Sequence, residues 1–279
     1  LHLPYDGKGP TAMEISFGIN LAIFQSQKIK DVNSFFYCCR YFELDDNGVP
    51  NRFPSKNERN VTAKQDDLVK IPGSPIAYWI PSFDIFDLPR IADEFISGGR
   101  IKTHDGQKYI RFIWEVSTKS KRWRDFVKGG KFRKHAGNED YLVDWSEAAV
   151  SFYEANGGLY PERFIGREGI CWSKITSAIQ SFRIKRPATE YDSASPTIFN
   201  SRFECDWFVL AFLNSPVSIA VLQAINPTMN TQVADVMALP ICNVTENTKA
   251  IISAGEKRLV ELSINDWNEF ETAKEFQNL

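Results

Sequence analysis

Apolar residues in this chain never run longer than seven, and the longest stretch is Trp207 to Leu213. A bilayer-spanning helix needs about 20 such residues, so no segment reads as one, and no signal-peptide pattern opens the chain. Short apolar runs build short strands and helices that must close on a shared core. Core material is plentiful, with 43% apolar residues including 21 Phe, 9 Tyr and 7 Trp. That density excludes a solvated coil as the main state. The length, 279 residues, is about two domains' worth at roughly 150 per domain. The chain opens at Leu1 and closes at Leu279 inside a helix-like pattern, so a fragment of a longer protein is expected. Five cysteines include the adjacent Cys38-Cys39 but no C-x-x-C pair. Neither structural zinc nor a disulfide framework is expected, and the expected compartment is a reducing cytoplasm.

The pattern along the chain predicts an α+β fold. Residues 13–25 hold two apolar runs around Gly18 and read as a strand pair; residues 34–44 are dense in aromatics and read as a buried strand. The polar stretch 45–57 is a loop. Thr62 is placed to cap a short helix through Val69, and Pro89 to open another that runs to Ile96 before Gly98-Gly99. Strands are predicted at 109–116, 141–145, 169–175 and 179–186. Helices are predicted after Ser146, at 203–213, at 216–225 behind Ser215-Pro216, and over 245–276, where Leu259, Leu262, Trp267, Phe270 and Ala273 recur at helical spacing. Trp79, Trp114, Trp145, Trp172 and Trp207 sit in apolar runs and read as core.

Charge is local. The formal balance is −2, which gives no hint of a polyanion partner. Yet Lys119, Lys121, Arg122, Arg124, Lys128, Lys131, Arg133 and Lys134 fall within sixteen residues against one acid, Asp125, with Trp123, Phe126 and Phe132 interleaved. Two readings fit: a phosphate-tracking surface, or a solvated basic loop neutralised by the acidic stretch that follows. That stretch, 137–162, carries Glu139, Asp140, Asp144, Glu147, Glu154 and Glu162 with no base.

Catalytic and metal-binding patterns are lacking. The three histidines (His2, His104, His135) have no metal-ligand spacing. There is no G-x-S-x-G elbow, and Tyr5 to Pro10 does not complete a P-loop. Asp6-Gly7-Lys8 has the local form of a nuclease acid-x-Lys but no convincing upstream acid in this sequence. Asn226-Pro227-Thr228-Met229 is not the Asn-Pro-Pro-aromatic motif of an adenine methyltransferase. No catalytic residue and no metal site is therefore assigned, and the chemistry alone reads as a binding module.

Seven strings occur in a telling order: IPGSPIAYW (71–79), IRFIWEV (110–116), KGGKFRKHAGN (128–138), GICWS (169–173), FLNS (212–215), NPTMNTQVADVMALPI (226–241) and DWNEFET (266–272). Together they resemble the PglX-like adenine-specific DNA methyltransferases of BREX phage defence, over about 71–276; related fused restriction–modification methyltransferases share much of the pattern. The resemblance implies a type I specificity-subunit-like DNA target recognition domain over 71–242. It further implies that 1–70 ends the methyltransferase catalytic sheet, with residues 2–24 as its closing strand pair, and that 243–279 begins a spacer helix. The implied partners are double-stranded DNA and other defence-system proteins, with no membrane. S-adenosylmethionine would belong to the parent enzyme, with no cofactor in this chain.

On that resemblance the eight cations of 119–134 are the phosphate-binding candidates. Thr103, Asp105, Gln107 and Lys108 carry donors and acceptors suited to base edges, or else form a plain surface turn. The sequence departs from the family pattern in three places. Thr103-His104-Asp105-Gly106 stands where relatives carry Thr-Gly-acid-Asn, Cys171 replaces a threonine, and Lys134-His135 replaces a usual aromatic. The alternative function is a protein-interaction scaffold within a defence complex, docking through the acidic 137–162 face. Salt-sensitive duplex binding separates the two.

Overall fold

Short apolar runs do give short elements. The computed structural model describes residues 2–3, 19–20, 33–54, 56–117 and 120–276. It divides into two compact units, Leu1–Asp87 and Leu88–Leu279.

In the first unit, β1 (His2–Leu3) pairs antiparallel with β2 (Ile19–Asn20); the rest of the strand pair expected over 13–25 lies outside the described residues. β3 (Asn33–Phe36) pairs antiparallel with β4 (Val61–Lys64), which leads directly into α1 (Gln65–Val69). The long buried strand expected over 34–44 is not formed. It stops at Phe36, Phe35 is 69% exposed, and a 3-10 turn follows at Tyr41–Glu43. The Glu43 carboxylate explains the turn, because it accepts from the Arg40 amide and the Arg59 guanidinium, each at 2.6 Å, and from the Asn57 amide at 3.3 Å. Thr62 caps no helix either. It lies in the ladder opposite Phe35, where a β-branched residue is better placed than in a helix.

The second unit runs α2 (Ile91–Glu94), β5 (Phe95–Ser97), α3 (Gly106–Tyr109), β6 (Ile110–Phe112), β7 (Trp123–Val127), β8 (Tyr141–Asp144), α4 (Glu147–Ala155), β9 (Gly169–Trp172), β10 (Phe182–Lys185), β11 (Thr189–Tyr191), β12 (Thr197–Asn200), α5 (Trp207–Leu213), α6 (Pro216–Ile225), α7 (Val233–Met237) and α8 (Glu246–Asn268). Two four-stranded sheets result. One, in the order β10-β9-β12-β5, is antiparallel throughout; the other, β11-β7-β8-β6, has β11 parallel to β7. Side chains of both sheets and of α4 share one core, including Phe126, Val143, Tyr153, Phe164, Tyr191 and Phe199. The class is mixed α+β with several sheets.

Local chemistry sets most helix starts. Ser146 accepts from the Ala149 amide at 3.4 Å, Asp206 from Val209 at 3.1 Å, Ser215 from Ser218 at 3.2 Å and Thr245 from Thr248 at 3.2 Å, each satisfying an otherwise unpaired first-turn N–H. Helix and strand ends depart further from expectation. The 89–96 helix yields at Phe95 because residues 95–97 pair with β12. The 109–116 strand shortens to β6, since the Glu115 carboxylate accepts from the Phe112 amide at 2.8 Å and turns the chain. α8 stops at Asn268, and turns carry the chain on to a buried Ala273. Gly98 is required by packing, as a Cβ there would lie 2.2 Å from the Phe164 ring.

The tryptophans divide. Trp172 is fully buried, whereas Trp79 and Trp114 are 47% and 55% exposed, against expectation. Trp114 lies in the turn after β6 and stacks on Phe112 rather than entering the core. Among the described residues no single helix is long and apolar enough to cross a membrane.

Candidate nucleic-acid interface

The basic run is partly a strand. β7 takes Trp123–Val127 from it, unseen in the sequence because each face carries one charged and one aromatic residue, which hides the two-residue period. Its arginines are engaged within the fold. Arg122 donates to the Asp144 carboxylate from Nε at 3.0 Å and Nη2 at 2.6 Å. Arg124 donates to Glu190 at 2.7 Å with its guanidinium 4.2 Å from the Trp145 ring centre. Arg133 donates to Asp266 at 2.7 Å and lies 4.9 Å from the Trp267 and Phe270 rings. Lys134 donates to the Asn214 carbonyl at 2.8 Å, at the end of α5, where unpaired carbonyls favour a cation.

Three lysines differ. Lys121, Lys128 and Lys131 are exposed, and none forms an ion pair among the described residues. Lys119 lies outside the described residues. Lys128 and Lys131 flank a glycine turn, Gly129 (φ +83°) and Gly130 (φ +123°), which is seated firmly. A Cβ on Gly129 would meet the Ala194 carbonyl at 2.9 Å, and the Ser173 hydroxyl donates to the Gly130 carbonyl at 3.1 Å. The run is also tied to the C-terminal helix and its tail. His135 Nδ1 lies 2.7 Å from Glu256 Oε1, and Lys274 holds Asp125 at 2.9 Å.

Beneath it lies a buried charged layer. Glu190 is fully buried, bound by Arg124, the Tyr160 hydroxyl and the Gly166 amide. Arg183 and Lys185 of β10 are also fully buried, and Lys185 donates to the Arg167 carbonyl. Burial pushes the Lys185 ammonium down to about 8, against the opposing attraction of Glu190. For Asp144 burial acts upward, but the bonds from Arg122 and Ser146 outweigh it and hold the carboxyl below its ordinary value.

The loop over 102–108 is anchored by the Lys102 amide on the Gly158 carbonyl at 2.8 Å. His104 adopts φ +59°, a left-handed backbone. Histidine is among the residues that enter that region most readily. Thr103 is only 8% exposed. The Asp105 carboxylate caps α3, accepting from the Lys108 amide at 3.0 Å. Lys108 is exposed, its ammonium 4.9 Å from the Tyr109 ring centre. Gln107 is exposed, with no side-chain hydrogen bond among the described residues. Gln107 and Lys108 therefore face solvent, while Thr103 and Asp105 hold the loop.

The acidic stretch is not a uniform face. Glu139 is bound by Arg186 and Asp144 by Arg122, whereas Glu147, Glu154 and Glu162 are exposed.

No protein-family model matches the chain. Over 238 residues, 76% of its length, it is 30% identical to the adenine-specific methyltransferase PglX of Lacticaseibacillus casei (strain Zhang). Over 267 residues, 89% of its length, it is 29% identical to the adenine-specific methyltransferase BrxX of Escherichia coli O9:H4 (strain HS). The chain is thus similar to a segment of two adenine-specific methyltransferases. It spans about one fifth of these curated relatives, 20% and 21% of their lengths.

Asn226 of the Asn226-Pro227-Thr228-Met229 run is bonded to its near neighbours in sequence. The Asn226 amide nitrogen donates to the Asn230 carbonyl at 3.1 Å and to Asp235 at 2.6 Å, and its oxygen accepts from the Thr228 amide at 3.0 Å.

Proposed function

We propose that this chain is the double-stranded DNA recognition part of an S-adenosylmethionine-dependent N6-adenine DNA methyltransferase in phage defence. Residues 71–242 form a target recognition domain of the type I specificity-subunit kind, 243–279 open a spacer helix, and 1–70 close the catalytic sheet. The observation that carries this reading is a trio of exposed lysines, Lys121, Lys128 and Lys131, that form no ion pair among the described residues, in a chain similar to a segment of two adenine-specific methyltransferases. These lysines grip phosphates without regard to sequence, and Gln107 with Lys108 meets base edges. The cofactor belongs to the parent enzyme, and other proteins of the defence system are its further partners.

Titration of a labelled duplex with the purified chain at several salt concentrations tests the reading. Affinity should fall linearly in log–log form, by about 0.9 per phosphate contact. The chain alone should transfer no methyl group from labelled S-adenosylmethionine. Absence of duplex binding, or binding indifferent to salt, would overturn it.

A further inference from the structure

Two loops far apart in sequence meet beside the glycine turn of the basic run. Residues 174–180 join β9 to β10, and residues 226–232 join α6 to α7. They are laced together: the Thr176 amide donates to the Met229 carbonyl at 3.0 Å and the Thr231 amide to the Lys174 carbonyl at 2.8 Å. The Thr231 hydroxyl donates to Gln180 at 3.2 Å, and the Trp172 indole donates to the Thr231 carbonyl at 3.1 Å. Gln180 is itself buried and bound to the Ser173 carbonyl at 3.2 Å. Both loops are therefore rigid at the base.

Their tips are unusual for rigid surface loops. Ile175, Met229 and Ile179 are 69%, 63% and 56% exposed. Beside them opens a cleft of about 190 Å³ whose polar lining consists only of amides and hydroxyls, including Thr176, Ser177, Gln223, Asn226 and Thr228. No charged side chain lines it, so it does not suit a phosphate. Cations stand next door instead. The Lys174 amide donates to the same Ala194 carbonyl, at 2.9 Å, against which Gly129 is seated, and this brings Lys174 close to the turn bearing Lys128 and Lys131.

A neutral amide and hydroxyl cleft, apolar tips and flanking lysines match a duplex that meets its phosphates and bases at different points. We infer that the paired loops 174–180 and 226–232, together with Gln223 in the last turns of α6, form a second base-contact element that takes the edges of A·T base pairs. The Gln223 carboxamide suits the adenine N6/N7 edge, and Ile175 and Met229 suit the thymine methyl group. This inference rests on the duplex binding proposed above. It assigns base contact to residues that the basic run and the 102–108 loop do not include.

Selection of bound duplexes from a random-sequence pool, with the full 279-residue chain, tests it. The parent chain should enrich a motif containing A·T pairs. Gln223→Ala and Met229→Ser should each reduce the preference at one such position by about tenfold. Both side chains are exposed, so thermal unfolding, affinity for unselected duplex and the salt slope should stay unchanged. An identical motif from both variants would overturn the inference and leave the proposed function standing, as would salt-dependent binding without sequence preference. Equal loss of affinity for selected and unselected duplexes would assign the tips to general docking and overturn it too. Failure of the parent chain to bind any duplex would remove both.

Discussion

The cations of 121–134 and those of β10 are alike in sequence and opposite in setting. Both alternate with aromatic or aliphatic residues. In the first segment Lys121, Lys128 and Lys131 face solvent, whereas Arg183 and Lys185 of β10 are wholly buried. Even within the first segment the arginines are held by carboxylates, whereas the three lysines form no ion pair among the described residues. Composition does not separate these roles. Distant carboxylates hold the arginines of the first segment, whereas the Ser173 hydroxyl and the Arg133 carbonyl hold Arg183 and the Arg167 carbonyl holds Lys185.

Four measurements break or sharpen that contrast. The largest effect is expected from Arg124→Ala, which removes the ion-pair partner of the fully buried Glu190. Loss of about 2 kcal/mol of stability should follow, reduced from a fully buried pair because Arg124 is partly exposed and Tyr160 and Gly166 still bind Glu190. Denaturant unfolding reads this directly, and an unchanged midpoint would remove the distinction between tie and free cation.

Next is the pH dependence of Lys185. Its folded pKa, about 8, lies below the ordinary 10.5, so between those values the unfolded chain holds more protons than the folded one. Stability contributed by this group therefore rises with pH across that window. Relative to Lys185→Met, the parent should gain on the order of 1–3 kcal/mol from pH 8 to 10.5. A constant difference in unfolding free energy would show that β10 does not hold its ammonium at a cost.

The third measurement compares Arg122→Ala with Lys131→Ala. Arg122→Ala should lower the unfolding midpoint, since Asp144, with a 3% exposed side chain, loses two bonds. Lys131→Ala should leave stability within about 0.5 kcal/mol while flattening the log K against log salt slope by about 0.9. If the two variants exchange these signatures, Arg122 is the phosphate contact.

The smallest effect is Gln107→Ala. It should relax base preference at one position by roughly 1 kcal/mol and change neither stability nor salt slope. An unaltered binding motif would leave base reading to other residues.

What the sequence revealed follows the range of the interactions involved. Helix starts at Ser146, Ser215 and Thr245 were legible because each cap closes on an amide three residues away. The basic run was legible as composition, but its sorting was not, because Arg124 and Glu190 are 66 residues apart. β7 was hidden by its mixed charge and aromatic pattern, and the Phe95–Ser97 strand by a helix-like start whose outcome depends on pairing with β12. The cleft between 174–180 and 226–232 had no local signature, since neither loop carries it alone. The buried strand expected over 34–44 failed for a related reason. Aromatic density marks a wish for burial, but the Glu43 clasp with Arg59 turns the chain first.

The ties between the basic run and the C-terminal helix also fix an order in time. His135 finds Glu256 121 residues later, Arg133 finds Asp266 after 133, and Asp125 finds Lys274 after 149. At a synthesis rate of about 5–20 residues per second, the segment leaves the ribosome roughly 7–30 s before its last clamp exists, given that 149-residue separation. A nascent chain paused before Glu256 carries its cations without these partners. The surface that grips the duplex in the proposed function therefore acquires these ties only once Glu256, Asp266 and Lys274 have been made.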